Sequence, residues 1–250
     1  MATAALTKPV VEFAAAAQRA LAQAFEAEAV PLDQASEWIA DAIAAGGVLR
    51  VFGTGHSRLL AEEIFYRAGG LVPVEAILDD DVSGYRDVTK SELAERLEGL
   101  GELIVAHSRI APPDLLLVIS QSGRNAVPIE AAQAARARGL RTVALTSLKH
   151  AAGQPSRHSS GLHLHEVVDL AIDNGVPDGD CAVRLDSGLL MGPLSGVVGA
   201  ALAQALVIGA AEKLRQRGID PPVFRSGNVD GGREANDVLI ERYWPKVRGW

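Results

Sequence analysis

The stretch "VISQSGRNAVPIE", Val118 to Glu130, is an apolar run that stops at two serines flanking a glutamine and then restarts as a helix. Pro128 falls in the first turn of that helix, where a missing N–H costs nothing because the first N–H groups have no partner within the helix. Upstream, in "DLLLVISQSG", Leu115 to Ile119 is an unbroken apolar run too short for a helix, so it reads as a strand buried on both faces. A buried strand, a Gly/Ser turn and a helix make one unit, and that unit recurs along the chain.

"GVLRVFGTGHS" is a second strand with a Gly/Ser turn, and "RLLAEEIFYRAGG" follows as a helix ending on glycine. "VPVEAI", "RTVALTS" and "VVDLAID" read as further strands, while "SELAERLEGLGELIVAH" and "NAVPIEAAQAARARGL" read as helices. Before the first strand come two helices, "FAAAAQRALAQAFEAEA" (Phe13 to Ala29) and "DQASEWIADAIAAGG" (Asp33 to Gly47). Five apolar strands alternating with helices predict an α/β fold, a three-layer α/β/α sandwich on a five-stranded parallel sheet of flavodoxin-like order. The chain divides into N-terminal helices (1–46), an α/β core (47–217) and a C-terminal loop with a last helix near Val238 (218–250), all within one domain. The acidic run Asp79 to Asp81 reads as a solvated loop.

Ligands of such sheets bind beyond the carboxyl ends of the strands, where helix N-termini offer free N–H groups and a favourable dipole to an anion. Two turns here share one design. In the first, Gly53 and Gly55 permit unusual backbone angles beside His56 and the hydroxyl of Ser57. In the second, Ser120 and Ser122 bring hydroxyls, Gly123 allows close approach and Asn125 adds a donor. Serine and glycine are also ordinary turn formers and helix caps. Two such turns on strands of one type favour a shared anion site over that plainer reading. The first turn lacks the third glycine of a dinucleotide fingerprint, no Gly-Lys-Ser/Thr of a P-loop is present, and neither serine sits in Gly-x-Ser-x-Gly.

On "FGTGHS" and "ISQSGRN" the sequence resembles the sugar isomerase (SIS) domain family, over roughly Trp38 to Arg217, and within it a bacterial branch grouped with the phosphoheptose isomerases. The resemblance implies a phosphorylated sugar held by Ser57, Ser120, Ser122 and Asn125. It also implies pairing of two copies, in keeping with the long Ala-rich leading helices and an uncharged later helix.

Aldose–ketose isomerisation needs a base that moves a proton between adjacent carbons. Glu62 and Glu63 follow the first turn, and Glu63 lies nearer the apolar stripe of Leu60, Ile64 and Ala68. An i,i+4 pair between Glu63 and Arg67 on a solvated face is the plainer alternative. Phosphoheptose isomerases carry a catalytic glutamate in a similar "AEE" run, one helical turn further from the loop than here. They also use histidines before that glutamate and on the last core helix; this chain has Arg58-Leu59-Leu60 there and no histidine between Ser187 and Arg217. No metal or other cofactor is therefore expected. In "SRHSSGLHLHE", His163 and His165 are spaced to share a face only in a strand, and His158, like His56, is a candidate acid for ring opening. The functional expectation is a sugar-phosphate isomerase with a glutamate base. The alternatives are a sensing module with the same pocket and no catalysis, and a lyase or etherase of the N-acetylmuramate 6-phosphate type.

Of 250 residues 48% are hydrophobic, and 31 acids against 24 bases give a net charge of −7. That disfavours a nucleic-acid partner. A lone Cys181 excludes a disulfide framework and fits a cytoplasmic protein. The N-terminus reads as an amphipathic helix and not as a signal peptide. Gly188 to Ala211 carries no charge and is long enough to span a bilayer. Pro193, Gln204 and several glycines favour instead a helix buried in the core or a subunit contact, so no membrane is expected.

Overall fold

The computed structural model describes residues 6–247. Two helices lead, α1 (Lys8–Ala27) and α2 (Ala29–Ala44), joined at Glu28. The core then runs β1 (Leu49–Gly53), α3 (Arg58–Ile64), β2 (Val74–Ile77), α4 (Asp80–Ser83), α5 (Val88–Ala94), α6 (Leu100–His107) and β3 (Leu115–Ser120). It continues with α7 (Ala126–Ala137), β4 (Arg141–Thr146), α8 (Leu148–Gly153), α9 (Leu164–Val167) and β5 (Leu170–Asp173). A small hairpin of β6 (Val183–Arg184) and β7 (Leu190–Met191) precedes α10 (Ser195–Gln216), and α11 (Gly232–Tyr243) closes the described chain.

The sheet has the order β2-β1-β3-β4-β5 with every pairing parallel. Side chains of a strand alternate between faces, and the core divides accordingly. Leu49, Val51, Leu115, Leu117, Ile119, Val143 and Leu145 face α2, α3 and α10, whereas Phe52, Leu116, Val118 and Ala144 face α6, α7 and α9. This is the expected three-layer sandwich. Helix α10, uncharged from Ser195 to Ala211, is apolar and long enough to cross a membrane; here Leu202, Leu206, Ala210 and Leu214 are fully buried in the first of these layers.

Four local expectations are corrected. The helix expected over "SELAERLEGLGELIVAH" is two, because Gly99 adopts φ +88° and the Glu130 carboxylate of α7 accepts the N–H groups of Gly99 and Gly101 at 2.6 and 3.0 Å. The uncharged helix starts only at Ser195; Gly188 and Gly192 at φ +85° and +77° turn the preceding residues into the β6–β7 hairpin. Helix α3 stops at Ile64, so Ala68 is exposed and is not part of the α3 stripe. Asp79 does not lie in a plain loop but caps α4 by accepting the N–H of Asp81.

Candidate functional site

Strands β1 and β3 are neighbours, with Gly53 paired to Ile119. The chain leaves β1 for one edge of the sheet and β3 for the other, so this is the point where the strand order reverses and a crevice opens. Both Gly/Ser turns lie there. With α3 and α10 they line one cavity of about 820 Å³, which holds Gly55, His56, Ser57, Glu63, Ser120, Ser122 and Asn125 among its walls.

Each turn is shaped by a glycine. A Cβ on Gly53 would lie 2.8 Å from the backbone of Ser57, because the chain doubles back in a single 3₁₀ turn over Gly55–Ser57. Gly123 takes φ +58°, and a Cβ there would lie 2.8 Å from the Thr146 hydroxyl. The serines divide. The Ser120 hydroxyl accepts the N–H of Gly123 at 3.2 Å, a turn-forming bond. The hydroxyls of Ser57 and Ser122 bond to no described residue, so both are free for a ligand.

Asn125 was expected to offer its amide to the ligand. It gives that amide to Glu95, at 2.5 Å from Oε1, and its Oδ1 accepts from Arg157 at 3.0 Å. The other Glu95 oxygen accepts the Thr54 hydroxyl at 2.9 Å. Burial pushes the Glu95 carboxyl above the ordinary carboxylate range, against the opposing effects of Thr54, Arg96 and Arg157. Glu95 lines the cavity and was not among the residues singled out by sequence. Glu95 is the residue just past the end of α5, four after the buried Ser91 and one after the buried Ala94, on the same inward side.

Of the two glutamates on α3, Glu63 reaches the cavity wall and Glu62 does not. Glu62 pairs with Arg58. Glu63 makes the anticipated i,i+4 pair with Arg67 and also accepts from Gln204 Nε2 of α10 at 3.3 Å. The cavity is closed by residues that sequence reasoning left aside. Asp180, at φ +51°, accepts the N–H groups of Leu194 and Ser195 at 2.8 Å and so caps α10. Asn174 donates to Gln121 Oε1 at 2.6 Å, while Gln121 Nε2 is buried without a partner.

His158 lies outside the cavity lining. Its Nε2 is 3.7 Å from Glu130, and Glu98, Glu130 and His158 bring ligand atoms within 4.8 Å of one another. The two carboxylates already accept the N–H groups of Gly99, Gly101 and Ser159, so the cluster clasps the 156–160 loop to α7. Nδ1 of His163 faces Glu166 at 3.3 Å, and its ring stacks on His165. Among the described residues the one imidazole of the cavity lining is that of His56.

Residues 12–147 match the SIS domain family. UPF0309 protein GK1441 of Geobacillus kaustophilus is 41% identical over 217 residues, 86% of each chain. UPF0309 protein SCO4393 of Streptomyces coelicolor is 41% identical over 244 residues, 96% of this chain and 97% of that one. Among solved structures, phosphoheptose isomerase GmhA of Neisseria gonorrhoeae superposes with a TM-score of 0.55 at 18% identity, covering 81% of this chain and 97% of its own. The Vibrio vulnificus NanR protein, solved with ManNAc-6P, gives 0.53 at 19% identity, covering 94% and 70%. At such identities the likeness is one of fold.

Proposed function

The chain belongs to the SIS domain family, and on that premise we propose that it binds a phosphorylated sugar and moves a proton along its carbon chain, as a sugar-phosphate isomerase. One observation carries the reading: two unpartnered serine hydroxyls at the strand-order reversal share a cavity with two carboxylates, Glu63 and Glu95. The phosphate takes the hydroxyls of Ser57 and Ser122 and the backbone N–H groups of Arg124 and Asn125 just ahead of α7, a preorganised anion site. The sugar extends along the cavity toward α10.

In the reaction a carboxylate removes the C2 proton of the open-chain aldose, and the electron pair forms an enediolate. The proton returns at C1 while the O2 hydroxyl proton passes to O1, with no net gain or loss of atoms. Burial shifts the Glu95 carboxyl upward, the direction a proton shuttle needs, and with its place in the cavity wall this favours Glu95 as the proton carrier. Glu63 is the second candidate, once a ligand draws it from Arg67. This assignment extends the sequence-based choice of Glu63 and moves His158 away from the ring-opening role.

A second reading is a sensing module with the same pocket, and the observation favouring it is that both carboxylates are held by protein donors. The solved NanR protein, with its sugar phosphate, has this fold. The test is incubation with a panel of aldose and ketose phosphates in deuterated water, read by proton NMR. Deuterium entering C1 or C2, and lost in Glu95→Gln, supports the isomerase. Tight binding without exchange for every member of the panel supports the sensor.

A further inference from the structure

A second cleft, of about 370 Å³, lies between the end of α3 and α11. Arg67, Arg225 and Arg233 line it with a single acid, Asp237, in a chain whose net charge is −7. Tyr66 and Phe224 form one wall, their rings edge-on at 5.0 Å. Among the described residues, neither Arg225 nor Arg233 has an ion-pair partner. Asn236 holds the geometry: its side chain both donates to and accepts from the backbone of Arg225, at 2.9 and 2.8 Å. Three cations against the one lining acid leave the cleft with an excess of positive charge, and a bound anion offsets it.

We propose that this cleft is a second anion site, for a small multiply charged anion, a phosphate ester or a polycarboxylate, coupled to the main cavity through Arg67. Arg67 lines the cleft while its guanidinium pairs with Glu63, and Glu63 lines the main cavity. An anion in the cleft competes with Glu63 for this one cation and loosens the pair. Linkage makes the effect reciprocal: a main-site ligand that draws Glu63 inward leaves Arg67 to the anion and tightens its binding.

The test is calorimetry of the full-length protein with pyrophosphate and with citrate. The Ser122→Asp variant, which blocks the main phosphate site, isolates the cleft. It should still bind at least one of the two anions, pyrophosphate alone marking the phosphate class and citrate alone the polycarboxylate class. Arg225→Ala with Arg233→Ala should weaken that event at least tenfold. Asp237→Ala should tighten it, a gain that misfolding cannot produce. In the Ser122→Asp background, anion binding should also move the Glu63 carboxyl ¹³C resonance, and Arg67→Ala should abolish the movement. Absence of binding by both anions at millimolar concentration, or binding unaltered by the double arginine variant, overturns the proposal. If pyrophosphate binds the parent at this cleft alone, the main-site reading fails and this one stands.

Discussion

Asn125 donates its side-chain amide to Glu95 at 2.5 Å, and through that bond the turn after β3 is tied to the C-terminal end of α5. Thr54, from the turn after β1, donates to the other oxygen of the same carboxylate. One buried group thus holds together both turns that the proposed phosphate occupies. Its charge and their geometry are coupled, so a proton on Glu95 is felt at the ligand site.

The pH dependence of stability should report this. Burial raises the Glu95 carboxyl above its ordinary value of 4.5, so the folded protein holds the proton more tightly than the unfolded chain does. The contribution is fully present below about pH 4.5 and is lost as pH rises through the raised folded value. Thermal melts of the parent should therefore decline across that window relative to Glu95→Gln, which carries no titrating group. Parallel curves for the two proteins would remove Glu95 from the argument.

Gly123→Ala should destabilise by two separable effects. A left-handed backbone costs an alanine about 1–2 kcal/mol, and the added Cβ meets the Thr146 hydroxyl at 2.8 Å. In a Thr146→Ala background the second effect should vanish while the first stays. Chemical denaturation of the four proteins closes the cycle; equal costs of Gly123→Ala in both backgrounds would contradict the contact.

At the opposite end of the sheet, Arg50 is buried between Asp114 and Glu75. Asp114 also accepts the N–H of Val48 at 2.9 Å. Asp114→Ala leaves Arg50 paired with Glu75 but strips the buried Val48 N–H and the Arg50 Nε–H of their acceptor, and each orphaned donor should cost about 1–3 kcal/mol. Because this cluster sits at the starts of β1 and β3 and the cavity at their ends, sugar-phosphate affinity measured below the melting transition should not change. A loss in affinity without a loss in stability would reverse that assignment.

The sheet was legible from the sequence because β3 holds an unbroken apolar run, the other four strands are short and mainly apolar, and parallel pairing demands crossovers. The anion turns were legible because glycine and serine at strand ends have few other uses so close together. What escaped was tertiary. Nothing local in "ERLEGLGEL" shows that Glu130, some thirty residues on, will cap Gly99 and Gly101 and split the helix. Glu95 likewise sits just past the end of a polar helix and becomes a cavity group only when Thr54 and Asn125 fold against it. The Glu63–Arg67 pair was foreseen from spacing alone; that Gln204 also binds Glu63 needed the packing of α10 on α3.

Ser122 carries the sharpest prediction. Its hydroxyl has no partner among the described residues, it follows a strand with every residue buried, and it lines the cavity beside Asn125, the residue that precedes α7. A hydrogen bond from a hydroxyl to a charged phosphate contributes about 1.5–3 kcal/mol. Ser122→Ala should thus weaken binding of the preferred sugar phosphate roughly tenfold to a hundredfold. The fold should be untouched, since the side chain makes no bond that stabilises it. Ser122→Asp should be worse, because it sets a negative charge where the ligand's own must lie. Ser120→Ala separates binding from turn formation: its hydroxyl accepts the Gly123 N–H, so its loss should lower stability as well as affinity. Calorimetry with melting curves on the three variants gives the comparison. If Ser122→Asp binds as tightly as the parent, these hydroxyls serve only the turn, and the phosphate must be held elsewhere.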